Sequence, residues 1–236
     1  MLYRKIHMNP HPSRLGKPIT PAIILLRPIY FLLYHQFAWS YDFAAALVSL
    51  GHWNDWVRTA LPHLEGRVLE LGFGPGHLQR LLFERGIQPF GVDESRQMAR
   101  QAQRRLRKAD HPPHLARGRA RSLAFPEAVF NAVVATFPSE YIFEPEALHE
   151  IRRVLIPNGK LVIVPMAWIT GTKPLERLAS WLSRITGETA ALENILPAMK
   201  ARFTAGGFEV RHEMVEAPGS RVLVIIAEKG HCPTHQ

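Results

Sequence analysis

VLELGFGPGHL, residues 68–78, joins an apolar strand pattern to an amphipathic helix pattern through three alternating glycines. Gly72, Gly74 and Gly76 let the backbone turn sharply after Glu70 and Leu71, and the helical pattern opens at His77. A junction of this kind carries main-chain N–H groups and a helix N-terminus to the carboxyl edge of a sheet, where a ligand can reach them. The spacing is G-x-G-x-G, with His77 where a dinucleotide fingerprint requires its last glycine, which argues against NAD or FAD. The next apolar run closes on Gly91-Val92-Asp93, and Asp93 stands 21 residues beyond Gly72. A carboxylate at the end of a second strand can accept hydrogen bonds from both hydroxyls of a ribose. The turn and the carboxylate together predict a nucleoside-binding crevice.

Outward from this point the chain alternates short apolar runs with longer amphipathic ones. Strands are expected over Arg67–Leu71, Pro89–Asp93, His114–Arg117, Phe130–Thr136 and Lys160–Pro165, with helices over His77–Arg85, Ser95–Lys108 and Pro145–Leu155. This order implies crossover connections and an α/β fold with a largely parallel sheet and helices on both faces. Strands over Phe208–Val215 and Arg221–Glu228 are separated by so short a link that they must run antiparallel. Upstream, Phe37, Tyr41, Ala44, Ala45 and Val48 recur at helical intervals, and a second short helix holds Trp53, Trp56, Val57 and Leu61 before Pro62; both read as lid or capping helices. The interval 167–206 is too long for a simple crossover. It carries Trp168, Leu175, Leu178, Trp181, Leu182 and Ile185 at helical spacing, which predicts a helical lid insertion.

The 236 residues suit one domain, taken here as 37–236 behind a basic, proline-rich arm and apolar segment over 1–36. With 47% hydrophobic and 21% charged residues, the chain is neither disordered nor collagen-like nor a polytopic membrane protein. Ala22–Tyr34 is interrupted by Arg27 and Pro28 and falls short of the roughly 20 residues of a spanning helix. It is expected to pack on the domain, with a lipid interface as the alternative. A net charge of +9 favours polyanions, whether nucleic acid or an anionic membrane face. Arg96, Arg100, Arg104 and Arg107 share one side of a helix whose other side holds Ala99, Ala102 and Leu106; a solvated face is the expectation, and phosphate attraction the alternative. Cys232 is the only cysteine, so no intrachain disulfide and no four-cysteine metal site can exist, and a reducing, cytoplasmic location is expected. His7 with His11, and His231 and His235 with Cys232, have ligand spacing but lie near the ends; no metal is expected.

Between about Tyr41 and Glu228 the chain resembles the class I S-adenosylmethionine-dependent methyltransferases, in particular the small-molecule branch that includes the ubiquinone/menaquinone C-methyltransferases. The resemblance rests on Tyr41-Asp42, LELGFGPGH, GVDES with Met98 following, GRARSLAFP, FNAVVATFP and RRVLIPNGKLVIV. It implies a Rossmann-like seven-stranded sheet with an antiparallel last strand, and S-adenosylmethionine as cofactor. It also implies a cofactor site that includes Tyr41, in which Glu70 and the turn through Gly72, Phe73, Gly74 and Gly76 surround the methionine portion. Asp93 would hold the ribose, and Glu94 and Met98 would belong to the same cofactor site; Arg119 and Ala120 would contact adenine; Thr136 and Phe137 would face the transferred methyl. Where Arg119 stands the family usually has an acid, and a cation cannot accept the adenine amino hydrogens, which leaves backbone groups of Ala120 and stacking. Asn131 replaces the usual aspartate at the opening of the fourth strand. Asn158 replaces a turn glycine, a mild change because asparagine tolerates the left-handed conformation.

The resemblance implies methyl transfer, a displacement at the sulfonium carbon in which positioning supplies much of the rate. Glu140, Tyr141, His149 and His77 are the candidates for a base, none singled out by a partner pattern. The nucleic-acid amino-methylating motif, Asn or Asp before two prolines and an aromatic, is replaced by Ala135-Thr136-Phe137-Pro138, which weakens that class. Apolar lid segments on both sides of the domain favour a small, lipophilic or aromatic acceptor, with core packing as the alternative account of the same aromatics. A non-catalytic cofactor-binding scaffold and an RNA methyltransferase are the alternatives, and oligomeric state is left open.

Overall fold

All four side chains of β1 (Val68–Leu71) are buried, as a strand must be when both faces of its sheet are covered. The computed structural model describes residues 49–171, 173 and 188–230, with 188–195 described by backbone alone. After α1 (Trp53–Arg58) and a single 3₁₀ turn (Leu61–His63), β1 leads into α2 (His77–Glu84), β2 (Pro89–Asp93), α3 (Arg96–Lys108), β3 (Leu115–Arg117) and β4 (Phe130–Thr136). A second 3₁₀ turn (Glu140–Phe143) precedes α4 (Pro145–Val154) and β5 (Leu155–Ile169); α5 (Glu188–Ala205), β6 (Phe208–Ala217) and β7 (Ser220–Lys229) complete the order.

The seven strands make one sheet, β3-β2-β1-β4-β5-β7-β6, parallel from β3 to β5, with β7 antiparallel to both β5 and β6. The predicted Rossmann-like architecture is therefore present. Its alternating side chains feed two cores. Val68, Ala132, Val134, Val162 and Val164 pack under Trp56 and Val57 of α1, Leu61 of the first 3₁₀ turn, and Leu78 and Leu82 of α2. Leu69, Leu71, Val133, Ile163 and Leu223 face Leu148, Ile151 and Val154 of α4, with Met199 and Phe203 of α5. The described helix of the 167–206 interval thus belongs to the sheet's own cover.

β5 is longer than the expected Lys160–Pro165. Leu155 already pairs with Phe130, and the register against β4 resets before Ala132 meets Lys160. Within the interrupted stretch Asn158 takes φ +62°, the left-handed conformation expected of it. Past Pro165 the strand continues to Ile169 on β7 alone, and its register shifts between Ile163 and Met166. Proline, with no N–H to donate, sits at that irregularity. Asn131 stands at the far edge from the glycine turn: its Oδ1 accepts the Arg67 N–H at 2.8 Å, which fixes the entry to β1. Tyr41, the helix from Phe37, Leu175, Leu178, Trp181, Leu182, Ile185, the arm 1–36 and the terminal His and Cys residues lie outside the described residues.

Arg153 on α4 ties down the loop that follows Ala120. Its guanidinium donates to the carbonyls of Phe125 at 2.8 Å and Leu123 at 2.9 Å and to Glu150 at 2.7 Å, while Glu150 accepts the Leu123 N–H at 2.7 Å. The hydrogen bond from Arg153 holds the Glu150 carboxyl below the usual carboxylate range. Stability from this cluster is thus present above the ordinary carboxylate pKa and fades as pH falls through the depressed value. Arg153→Ala is expected to cost about 1–2 kcal/mol, read as a lower melting temperature at neutral pH.

Candidate functional site

At the carboxyl edge of the parallel strands, β1 ends in the glycine turn and β2 ends in Asp93. Gly72 (φ +70°) donates its N–H to the Val92 carbonyl at 2.8 Å, bending the turn over β2. Asp93 then holds the turn from the other side: Oδ2 accepts the Gly74 N–H at 2.9 Å and Oδ1 accepts the Ser95 N–H at 2.7 Å. The two predicted elements are therefore joined directly. Burial raises the Asp93 pKa against the lowering effect of those two N–H groups.

Gly76 caps α2 in the left-handed conformation, φ +84°. A Cβ there would stand 2.9 Å from the Ala102 Cβ and 3.2 Å from its Cα, so α3 itself leaves no room for a side chain. The closeness of α2 and α3 depends on this glycine, as does Phe73, which is buried against Ala99 and Ala102. Gly76→Ala is expected to lower stability by about 2 kcal/mol, through both the backbone conformation and the contact. Thermal unfolding should show it, whereas Gly74→Ala, whose Cβ would meet only the Gly72 carbonyl oxygen at 4.0 Å, should cost less.

Glu70 lies at the floor of the crevice and is 2% exposed. Its Oε2 accepts from Nε2 of Gln79 at 2.8 Å, and the same amide nitrogen reaches the Phe90 carbonyl at 3.2 Å. Gln79 is fully buried, and its Oε1 has no hydrogen-bond partner among the described residues. Desolvation pushes the Glu70 carboxyl up to about 8, against the opposing hydrogen bond from Gln79. A buried acid beside an unsatisfied amide and exposed turn backbone is a cradle suited to a cation with polar groups. These residues fit the methionine end of S-adenosylmethionine, which carries positive charge.

The recess above Glu70 is lined by Gly72, Gly74, His77, Thr136 and Trp53. Trp53 packs on Phe137 with ring centroids 4.6 Å apart, and Trp56 stands 5.7 Å from the same ring. Phe137 takes φ +49° directly after β4 and donates its N–H to the Val164 carbonyl at 2.7 Å. A bulky residue in that region is strained, a condition that clusters at functional sites. Tyr141 closes the other side: its hydroxyl donates to the Leu71 carbonyl at 3.2 Å and would stand 2.8 Å from a Cβ on Gly72.

Of the four candidate bases, His77 lines the recess and Tyr141 overhangs the turn. Glu140 is exposed beside Tyr141, and His149 is exposed on α4 and does not line the recess. Met98 is buried at the start of α3, with its N–H on the Ser95 hydroxyl. Arg119 turns toward Glu94, Nε to Oε2 at 3.4 Å, both exposed, with Ala120 buried next to them. The exposed carboxylate on this rim is thus Glu94, and Arg119 is its counter-ion. Gln79 and the wall role of Trp53 are additions made by the structure. A polar residue within the apolar stripe Leu78, Leu81, Leu82 was the available sign of the first. Among the described residues no cluster of His, Cys, Asp and Glu could hold a metal ion, and no helix is long and apolar enough to cross a membrane.

Residues 69–163 match a family described as "Methyltransferase domain". The chain is 28% identical to the demethylmenaquinone methyltransferase of Thermus thermophilus, over 78% of this chain and 94% of that protein. It is 36% identical to the phosphatidylethanolamine N-methyltransferase of Cereibacter sphaeroides, over 42% of this chain and 50% of that one. Among solved structures, the YcgJ protein of Bacillus subtilis superposes with a TM-score of 0.53 at 17% identity, covering 75% of this chain and 97% of that chain, which shows the shared fold.

Proposed function

We infer, from the premise that this chain belongs to the class I S-adenosylmethionine-dependent methyltransferases, that its methyl acceptor is a small lipophilic or aromatic molecule. The observation carrying this reading is the aromatic wall that Trp53 presents to the recess holding Glu70 and Thr136, backed by the rings of Phe137 and Trp56. Flat aromatic or apolar groups bind such a wall through buried area and offset ring contacts. Relatives named for demethylmenaquinone and for phosphatidylethanolamine, both lipophilic molecules, agree with it.

S-adenosylmethionine, when bound, supplies an electrophilic methyl group on a positively charged sulfur. Glu70, held by Gln79, would receive the cationic methionine end, and the Gly72–Gly76 turn would present its backbone there. Asp93 would accept from the ribose hydroxyls, with Glu94, Met98, Arg119 and Ala120 around the remainder of the nucleoside. Thr136 and Phe137 would face the methyl, and Trp53 would exclude water from the acceptor side. His77, which lines the recess, and Tyr141, whose hydroxyl lies over the turn, are the candidate bases in this reading.

Incubation with methyl-labelled S-adenosylmethionine and a lipid extract should label an organic-soluble product. Label confined to RNA, or cofactor binding with no acceptor labelled, would overturn the reading in favour of an RNA methyltransferase or a scaffold. With the labelled acceptor in hand, Trp53→Ala should lower kcat/KM about tenfold, while Trp53→Phe keeps most of it.

A further inference from the structure

Outside the crevice, one side of α3 carries a dense run of positive charge. Arg96, Arg100, Arg104 and Arg107 are exposed there, opposite the buried Met98, Ala99, Ala102 and Leu106. No acidic residue occurs between Ser95 and Ala109. Among the described residues none of these four arginines is held in an ion pair or hydrogen bond, whereas Arg117 and Arg119 are turned to Glu94. Like charges at i,i+4 on a helix destabilise it by a few tenths of a kcal/mol each. A row of them with no acid paired to it among the described residues is a surface prepared for anions. At about 1.5 Å per residue the row is roughly 16 Å long.

Two features narrow the partner. The cations are arginines, whose planar fork and weak hydration suit phosphate oxygens. The residues interleaved with them are Gln97, Gln101 and Gln103, so the face offers no aromatic ring on which a nucleic-acid base could stack. The helix also begins at Arg96, just after the Asp93 carboxylate, so the row starts at the edge where the crevice opens.

We propose that the arginine side of α3 is the surface by which this protein rests on an anionic phospholipid membrane, bringing the crevice mouth to a lipophilic acceptor. The proposal builds on the acceptor reading above, but vesicle binding is measured without any acceptor, so the two can fail separately. The full chain is sedimented with phosphatidylcholine vesicles, with and without one third phosphatidylglycerol in a trial mixture, at roughly 0.1 M salt, where surface charge is felt over about 10 Å. Binding is expected only to the anionic vesicles and should fall with added salt. Each arginine removed should weaken it about fivefold, so R96Q/R100Q/R104Q/R107Q should lose several hundredfold, roughly. Glutamine preserves helix propensity. R100Q/R104Q, expected to lose roughly twentyfold or more, replaces the quadruple variant if that one does not fold. Unchanged cofactor affinity by calorimetry reports that the crevice is intact. Equal sedimentation of wild type and variant, equal binding to zwitterionic vesicles, or tighter binding to single-stranded RNA at the same salt would each overturn the proposal.

Discussion

Asp93→Ala is expected to weaken S-adenosylmethionine binding about 100-fold, close to 3 kcal/mol by the usual worth of hydrogen bonds to a charged group. Each carboxylate oxygen already accepts one backbone N–H, from Gly74 and from Ser95, and retains a lone pair for a ribose hydroxyl. The substitution therefore removes a ligand contact and also releases the turn that surrounds the rest of the cofactor. Asp93→Asn should do comparable harm, because its amide nitrogen would face one of the two N–H donors. Titration calorimetry measures the loss, with thermal unfolding as the control for folding. Affinity equal to wild type would take Asp93 out of the site.

Glu70 gives the second large effect, and its sign is set by the raised pKa. An unfolded glutamate releases its proton near the ordinary value of 4.5, whereas the folded carboxyl keeps it to about 8. This group's contribution to stability is thus greatest in acid and falls as pH rises from the ordinary value through the raised one, by as much as about 5 kcal/mol. Glu70→Gln should consequently unfold at a higher temperature than wild type at alkaline pH and at a similar temperature near pH 5, about the top of the ordinary carboxylate range. Ligand binding should move the other way. A cationic methionine end favours the ionised carboxylate, so wild-type affinity should climb by up to about tenfold per pH unit towards the raised pKa. Glu70→Gln should bind more weakly and lack this component of the pH dependence. The ligand's own titration is common to both proteins, so the difference reports Glu70. Gln79, which donates to Glu70, and Asp93, whose charge raises it, are the groups that bear on the profile. Parallel profiles for the two proteins would contradict this account.

The fold was legible because its evidence is periodic and local. The predicted spans of β2 and β4 coincide with the observed ones, and α2 and α3 differ from expectation only at an end. The short link after β6 forces antiparallel pairing whatever the surroundings. Strand β5 escaped because its two ends exist only through partners: Leu155 through Phe130, and Met166–Ile169 through β7. Apolar patterning cannot register such extensions when the pleat is interrupted by Asn158 and Pro165. Arg119 shows the same limit in the site. Its departure from an acid was visible in the chain, but the Glu94 carboxylate that it meets was not paired with it until β2 and β3 lay side by side.

The order of residues alone established the strand, glycine turn and helix at 68–78, the left-handed tolerance at Asn158, and a carboxylate at the end of β2. Each follows from backbone sterics or from side-chain period, which neighbouring residues carry among themselves. Packing decided the rest. Gln79 finds Glu70 because α2 lies over β1 and β2, Trp53 finds Phe137 because α1 covers the end of β4, and Tyr141 reaches Leu71 from 70 residues away. The raised Glu70 pKa likewise arises from burial by several elements at once, a property of enclosed volume that belongs to no single segment.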